Sequence, residues 1–182
     1  MLHLGTVTIQ TKRLILRKFR HDDAEPMFKN WAADIDVCRY LTWDAHSDLS
    51  VTKAVIERFI SGYESDRCYH WVIVLKETGE PVGSISVVLM SETSRWCEIG
   101  YCLSKSCWNK GLMSEALFAV MDFLFNKIGF HRIQAKHDVD NLVSGRVMQK
   151  CGMRFEGLLR EANLQKSGRY SDLALYGMVK CE

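Results

Sequence analysis

Apolar positions recur along this chain at two periods, and each change of period marks an element. In residues 11–19, Leu14 and Leu16 alternate with Arg13, Ile15 and Arg17, which predicts a strand whose basic residues form a solvated face. Residues 22–31 predict a helix capped by Asp22, with Pro26 near its first turn, where proline is tolerated. A short irregular helix is expected at 34–41. The loop at 42–47 then carries Trp43, read equally as a packing cover or as a wall of a substrate groove. From Ser50 onward, Val51, Ala54, Val55, Phe59 and Tyr63 make one apolar stripe with Lys53, Glu57 and Arg58 outside it, a further helix. Residues 69–75 and 81–90 pair as a hairpin about the Glu77-Thr78-Gly79-Glu80 turn.

The period changes most sharply in the middle of the chain. Trp96–Leu103 reads as a strand and 104–110 as a polar, turn-prone loop. Gly111 then opens a helix with Leu112, Met113, Ala116, Leu117, Val120, Met121 and Leu124 on its apolar side, stopped after 128 by Gly129. Residues 131–137 alternate again, with Ile133 and Ala135 inward. Residues 141–151 predict a helix closed by Gly152, and 153–164 and 169–179 a last strand pair about Ser167-Gly168. The resulting order is one strand, two helices, three strands, helix, strand, helix and two strands. That is a mixed sheet covered by helices, α+β (α/β mixed) in class.

At 182 residues the chain suits one domain over 1–182, with a core at about 11–179. A net charge of +2 and 47% hydrophobic residues give no bulk electrostatic reason to bind nucleic acid or a membrane. The N-terminal residues lack the basic and apolar regions of a secretion signal, and no apolar run approaches a membrane span. The seven cysteines include no C-x-x-C pair and no histidine at ligand spacing. They read as reduced thiols of a cytoplasmic protein, with no metal.

Candidate chemistry concentrates at the loop before Gly111. A helix entrance has unpaired N–H groups and the positive end of the dipole, which suit an anion. Trp108-Asn109-Lys110-Gly111-Leu112-Met113 lacks both G-x-x-x-x-G-K-[ST] and G-x-G-x-x-G, so nucleoside triphosphates and dinucleotides lose their main support. Three further strings matter here. They are EIGYCL…WNKGLMSEAL, then Asn141-Leu142-Val143-Ser144 before Lys150-Cys151-Gly152-Met153-Arg154-Phe155-Glu156-Gly157, and the opening Thr11-Lys12-Arg13-Leu14 with the closing Gly168-Arg169-Tyr170-Ser171-Asp172. In order and at these distances they resemble the GNAT superfamily of N-acetyltransferases, in its ribosomal-protein N-terminal acetyltransferase (RimJ/RimL-like) branch. Trp108 and Met113 depart from the general superfamily loop Q/R-x-x-G-x-G/A, and Met153 replaces a usual phenylalanine.

That resemblance implies a strongly twisted mixed sheet with splayed central strands and helices on both faces. It implies acetyl-CoA as cosubstrate, direct transfer to a primary amine and no metal. The pyrophosphate would lie on N–H groups of Asn109, Lys110, Gly111, Leu112, Met113 and Ser114 beside Trp108, with Lys110 adding a charge. Pantetheine would pair with the backbone of Tyr101, Cys102 and Leu103 and with Asn141. An Ile99 or Tyr101 N–H would polarise the thioester carbonyl. Ser144 would stabilise the departing thiolate, and Glu98 would collect the amine proton through water. Asn141 and Ser144 also have plainer readings, as an N-cap and a surface residue, and Glu98 as a salt-bridged strand residue. The acceptor favoured is a protein or peptide α-amine. The alternatives are a small-molecule amine (aminoglycoside, polyamine or amino acid analogue) and a non-catalytic acyl-CoA-binding regulator. Monomer and homodimer are both compatible with the sequence. His137 and Asp138, neighbours on a strand, point to opposite faces and read as structural rather than as a dyad.

Overall fold

The structure, a computed structural model, describes residues 1–180, so Cys181 lies outside the described residues. Eight strands form one mixed sheet: β1 (Ile9–Gln10), β2 (Leu14–Arg17), β3 (His70–Leu75), β4 (Pro81–Ser91), β5 (Trp96–Leu103), β6 (Arg132–Asp138), β7 (Arg154–Leu164) and β8 (Tyr170–Val179). Their order is β1-β2-β3-β4-β5-β6-β8-β7. Every neighbouring pair is antiparallel except β5 and β6, which are joined through a crossover helix and run parallel. The helices are α1 (Ala24–Met27), α2 (Ile35–Cys38), α3 (Leu49–Gly62), α4 (Leu112–Phe123) and α5 (Leu142–Lys150).

Strand alternation sends side chains into two cores. Leu14, Leu16, Ile73, Ile85, Ile99, Ile133 and Ala135 pack with α4 and α5 on one face. Val72, Val74 and the partly buried Ile15 pack with α1 and α3 on the other. Helices therefore cover both faces, as the resemblance implies. Helix α4 and its π turn Leu124–Ile128 end at Gly129, and α5 ends before Gly152, both as the pattern predicts.

The N-terminal third departs from expectation in three ways. The pair Ile9–Gln10 forms an edge strand too short to show a period, and β2 stops at Arg17. The expected helix at 22–31 is a 3-10 turn (His21–Asp23), α1 and a π turn (Phe28–Ala32) in succession. Asp23, not Asp22, anchors its start, accepting from the Arg20 N–H at 2.8 Å. Arg17, the basic residue within β2, does not belong to a solvated face either, whereas Arg13, just before it, is exposed. Arg17 donates both terminal nitrogens to the buried Asp23 carboxylate at 2.7 Å, and that carboxylate raises the guanidinium pKa. Arg13 reaches across to Glu115 of α4. Alternation identifies which face a charge lies on, but not the helix brought opposite it.

One feature of the sheet creates the site. β5 and β6 pair only at Trp96↔Arg132, Cys97↔Ile133 and Glu98↔Gln134, although β5 continues to Leu103 and β6 to Asp138. Beyond Glu98 the two strands part, and β4 carries a register shift between Val87 and Leu89 opposite the point of parting.

Candidate active site

The gap between β5 and β6 opens into a cleft of about 470 Å³ that continues to the start of α4. Its lining includes Tyr101, Cys102, Leu103 and the helix entrance at Gly111, with Asn141 and Ser144 on α5. Trp108, Asn109, Leu112, Met113 and Ser114 line it as well. The structure thus brings most of the sequence-predicted residues to one cavity.

At the helix entrance, Asn109 and Gly111 have φ of 59° and 73°, a left-handed conformation in which glycine alone is free of strain. This turns the chain so that Gly111 precedes α4 with no side-chain cap. The first helical bond is Glu115 N–H to the Gly111 carbonyl at 3.1 Å, so the N–H groups of Leu112, Met113 and Ser114 belong to the first turn, which has no intrahelical acceptor. A Cβ on Gly111 would meet nothing nearer than Arg13 Nη2 at 3.7 Å, so the space above the glycine is open. Trp108, the departure from the general loop, ties that loop to the end of β5, its indole donating to the Leu103 carbonyl at 2.8 Å.

Along β5 the ladder fixes which backbone groups face the gap. Ser104 N–H donates to the Val82 carbonyl at 2.7 Å, so by alternation Cys102 and Gly100 turn their main-chain groups to β4. Ile99, Tyr101 and Leu103 turn theirs toward β6. Because the parallel register ends at Glu98↔Gln134, the Tyr101 N–H is the first donor of β5 clear of those rungs. The Cys102 side chain sits on the other face against Ser84 Oγ at 3.4 Å, and burial pushes its thiol pKa up, away from the nucleophilic thiolate.

Above the gap, Asn141 caps α5, its Oδ1 accepting from the Ser144 N–H at 3.4 Å. Ser144 is held from below by Tyr101, whose Oη lies 3.1 Å from the Ser144 carbonyl and 3.0 Å from its Oγ. A carbonyl only accepts, so the Tyr101 proton serves it, and the serine proton serves the contact between hydroxyls. Burial raises the Tyr101 pKa, so its hydroxyl stays protonated. His137 lies under the same helix, bonded through Nδ1 to the Asp138 carbonyl at 2.8 Å, and its buried Nε2 has no partner among the described residues. A Cβ on Gly145 would come within 2.6 Å of that nitrogen, so glycine is what lets α5 lie this close to β6. The Asp138 carboxylate is bound by Ser171, Asn163 and Gln165, and the pair forms no dyad.

Glu98 does not line the cleft. It lies at the last rung on the face away from α4 and α5, buried, with Oε2 held by Gln134 Nε2 at 2.9 Å and Lys136 Nζ at 3.1 Å. Trp43 packs against the α1–α3 core and its ring contacts His46, which favours the packing-cover reading. Two functional placements have no counterpart in the sequence pattern. The Arg13 side chain donates to the Lys110 carbonyl at 2.9 Å and to Glu115 at 2.7 Å, bracing the loop, and Tyr101 contributes its hydroxyl as well as its backbone. Neither has a local signal, since each contact joins elements far apart in the chain. Among the described residues no group of three or more His, Cys, Asp or Glu is placed to hold a metal, and no helix is long and apolar enough to cross a membrane.

This geometry has known counterparts. Residues 13–154 match the family model described as an acetyltransferase (GNAT) domain. An uncharacterized N-acetyltransferase of Bacillus subtilis, YoaA, is 32% identical over 94% of this chain and 96% of its own. A GNAT-family acetyltransferase of Bacillus anthracis superposes with a TM-score of 0.86 at 26% identity, covering 97% of this chain and 100% of its own. RimL, a ribosomal L7/L12 α-N-protein acetyltransferase solved with coenzyme A, shares the fold at 20% identity and a TM-score of 0.85, over 97% of this chain and 100% of its own.

Proposed function

The chain belongs to the GNAT family and is an N-acetyltransferase, and from that premise we propose that its acceptor is the α-amine of a protein or peptide N-terminus. One observation carries the proposal: among the described residues the cleft lining holds no unengaged carboxylate, so a base can act on the amine only from a distance, through water. Asp36 is paired with Lys105 and Asp140 with Arg169, while Glu98 sits outside the lining. An amine must be neutral to attack. An α-amine of pKa ~7.8 needs far less help than a lysine of ~10.4, a difference of about 3.5 kcal/mol. The shared fold with RimL supports the same acceptor class.

The residues divide the work along the cleft. The open space over Gly111 and the N–H groups of the first turn of α4 fit the pyrophosphate of acetyl-CoA, the cosubstrate of this fold. Tyr101 N–H faces the gap where the thioester oxygen gains charge, and a fixed backbone donor stabilises that charge without reorganisation. Ser144 turns its hydroxyl from Tyr101 to the departing thiolate. Glu98 receives the amine proton through water, since three strand residues, about 10 Å, separate it from Tyr101.

Ser144→Ala is expected to lower kcat about three- to tenfold, the value of one hydrogen bond, with little change in acetyl-CoA affinity. A fully active variant removes Ser144 from the chemistry. Glu98→Gln is expected to steepen the loss of rate toward low pH, and a profile superimposable on wild type assigns Glu98 to structure. CoA release measured side by side on peptide N-termini, aminoglycosides and polyamines tests the acceptor. Preference for a small-molecule amine would overturn the proposal.

A further inference from the structure

The gap between β5 and β6 is closed at both ends. One end is the rung Glu98↔Gln134, where the pairing stops. The other is a bridge of side chains. Lys105, just past β5, pairs with Asp36 of α2. Lys166, in the turn between β7 and β8, donates to the Cys38 carbonyl at 2.8 Å and to the Trp43 carbonyl at 2.6 Å, with Asp44 Oδ1 3.3 Å away. From the same turn Arg169 donates to Asp140 at 2.8 Å, and Gln165 donates to Asp138, the last residue of β6, at 3.0 Å. The contacts thus run unbroken from β5 through α2 and the turn to β6. Asp36 and Asp140 line the cleft, so the bridge stands at its rim. Lys166 is its keystone. The loop after α2 has neither helix nor strand until Leu49, and Lys166 supplies from outside the bonds that regular structure does not. The turn itself is held separately, because the buried Asp138 carboxylate also accepts from Ser171 and Asn163.

Resting on the peptide-acceptor reading, we infer that Lys166 is a specificity-determining residue. It closes the gap into an aperture that the acceptor enters end-on, so a chain end with a slender first residue passes and a bulky one is turned away. Acetyl-CoA occupies the gap from the side of α4 and α5, which leaves the opposite face, where Glu98 lies, for the amine. On that face the loop after α2 and the β7–β8 turn are the two walls that Lys166 ties together. Selection then comes from a clash with the wrong acceptor rather than from added contacts with the right one. Lys166 touches no reacting atom and acts only by holding the loop after α2 in place.

Acetylation of two peptides that differ only in a first residue of glycine or tryptophan tests this. Wild type is expected to favour the glycine peptide by about tenfold in kcat/KM. Lys166→Met keeps an apolar stem and removes the donors. It is expected to cut the preference to about twofold by accelerating the tryptophan peptide, with acetyl-CoA affinity unchanged. Hydrogen exchange should run about tenfold faster at residues 39–45 of the variant, the value of the lost bonds, and as in wild type in α4 and α5. Equal use of the two peptides by wild type overturns the aperture. A variant that slows both peptides alike overturns the selective role of Lys166, and unchanged exchange at 39–45 overturns its hold on the loop. Wild type that acetylates a polyamine and neither peptide would overturn the peptide reading itself, and the inference with it.

Discussion

Gly111→Asp is expected to reduce acetyl-CoA affinity by about a hundredfold or more while leaving the protein folded. The backbone there has φ of 73°, so any side chain costs roughly 1 kcal/mol, and aspartate is among the residues that tolerate this conformation best. Nothing but the end of Arg13, at 3.7 Å, lies near the new Cβ, so no clash drives unfolding. The carboxylate instead projects into the open space at the first turn of α4 that is proposed to take the pyrophosphate. Two like charges about 4 Å apart repel by roughly 1–4 kcal/mol between water and a protein surface, and pyrophosphate carries more than one charge. Gly111→Asn is the control, with nearly the same shape and backbone preference but no charge. Calorimetric affinities should fall steeply for aspartate and only several-fold for asparagine. Equal losses would mean that shape rather than charge is read at this position, and an unchanged aspartate variant would move the phosphate site elsewhere.

Much of this arrangement was legible in the sequence because it is local. The β5–loop–α4 passage is one continuous stretch, so its strand period, its polar loop and its glycine name the elements and their junction. Asn141 and Ser144 sit three apart at a helix start, and the spacing alone puts them on one side. What stayed illegible are contacts between distant segments. Tyr101 meets Ser144 through a gap in the sheet, and Arg13 meets Lys110 across nearly a hundred residues. Glu98 shows the same limit from the other side. Its place on β5 was readable, but the strand on which Gln134 and Lys136 would meet it depended on the parallel crossover. Trp108 and Met113 look like departures in a motif, yet the proposed anion site relies on backbone N–H groups. Their side chains serve packing: Met113 is buried in the main core and Trp108 holds the strand end.

The contact whose loss should cost the most stability spans only six residues, yet alternation along β2 did not reveal it either. Asp23→Ala is expected to destabilise the fold by about 3–5 kcal/mol, because it leaves the Arg17 guanidinium without its partner in a largely buried place. The side chains are 17% and 3% exposed, so water repays little of the loss. The same carboxylate accepts from Arg20 N–H, and the substitution also strips the turn that starts the first helical segment. Asp23→Asn keeps an acceptor for that N–H and should fall between wild type and alanine. The decisive comparison is Arg17→Met/Asp23→Leu. If the cost arises from an orphaned charge, replacing both partners with apolar groups recovers most of the stability that either single change removes, since the pair's net worth over a hydrophobic contact is small. Denaturant melts of the four proteins read this directly. A double variant no better than Asp23→Ala would show that the ion pair itself stabilises β2 against the first helix. Acetyl-CoA affinity, measured at a temperature where every variant is folded, should stay near wild type. Asp23 and Arg17 act at the far end of β2 from Arg13, and it is Arg13 that braces the loop before α4.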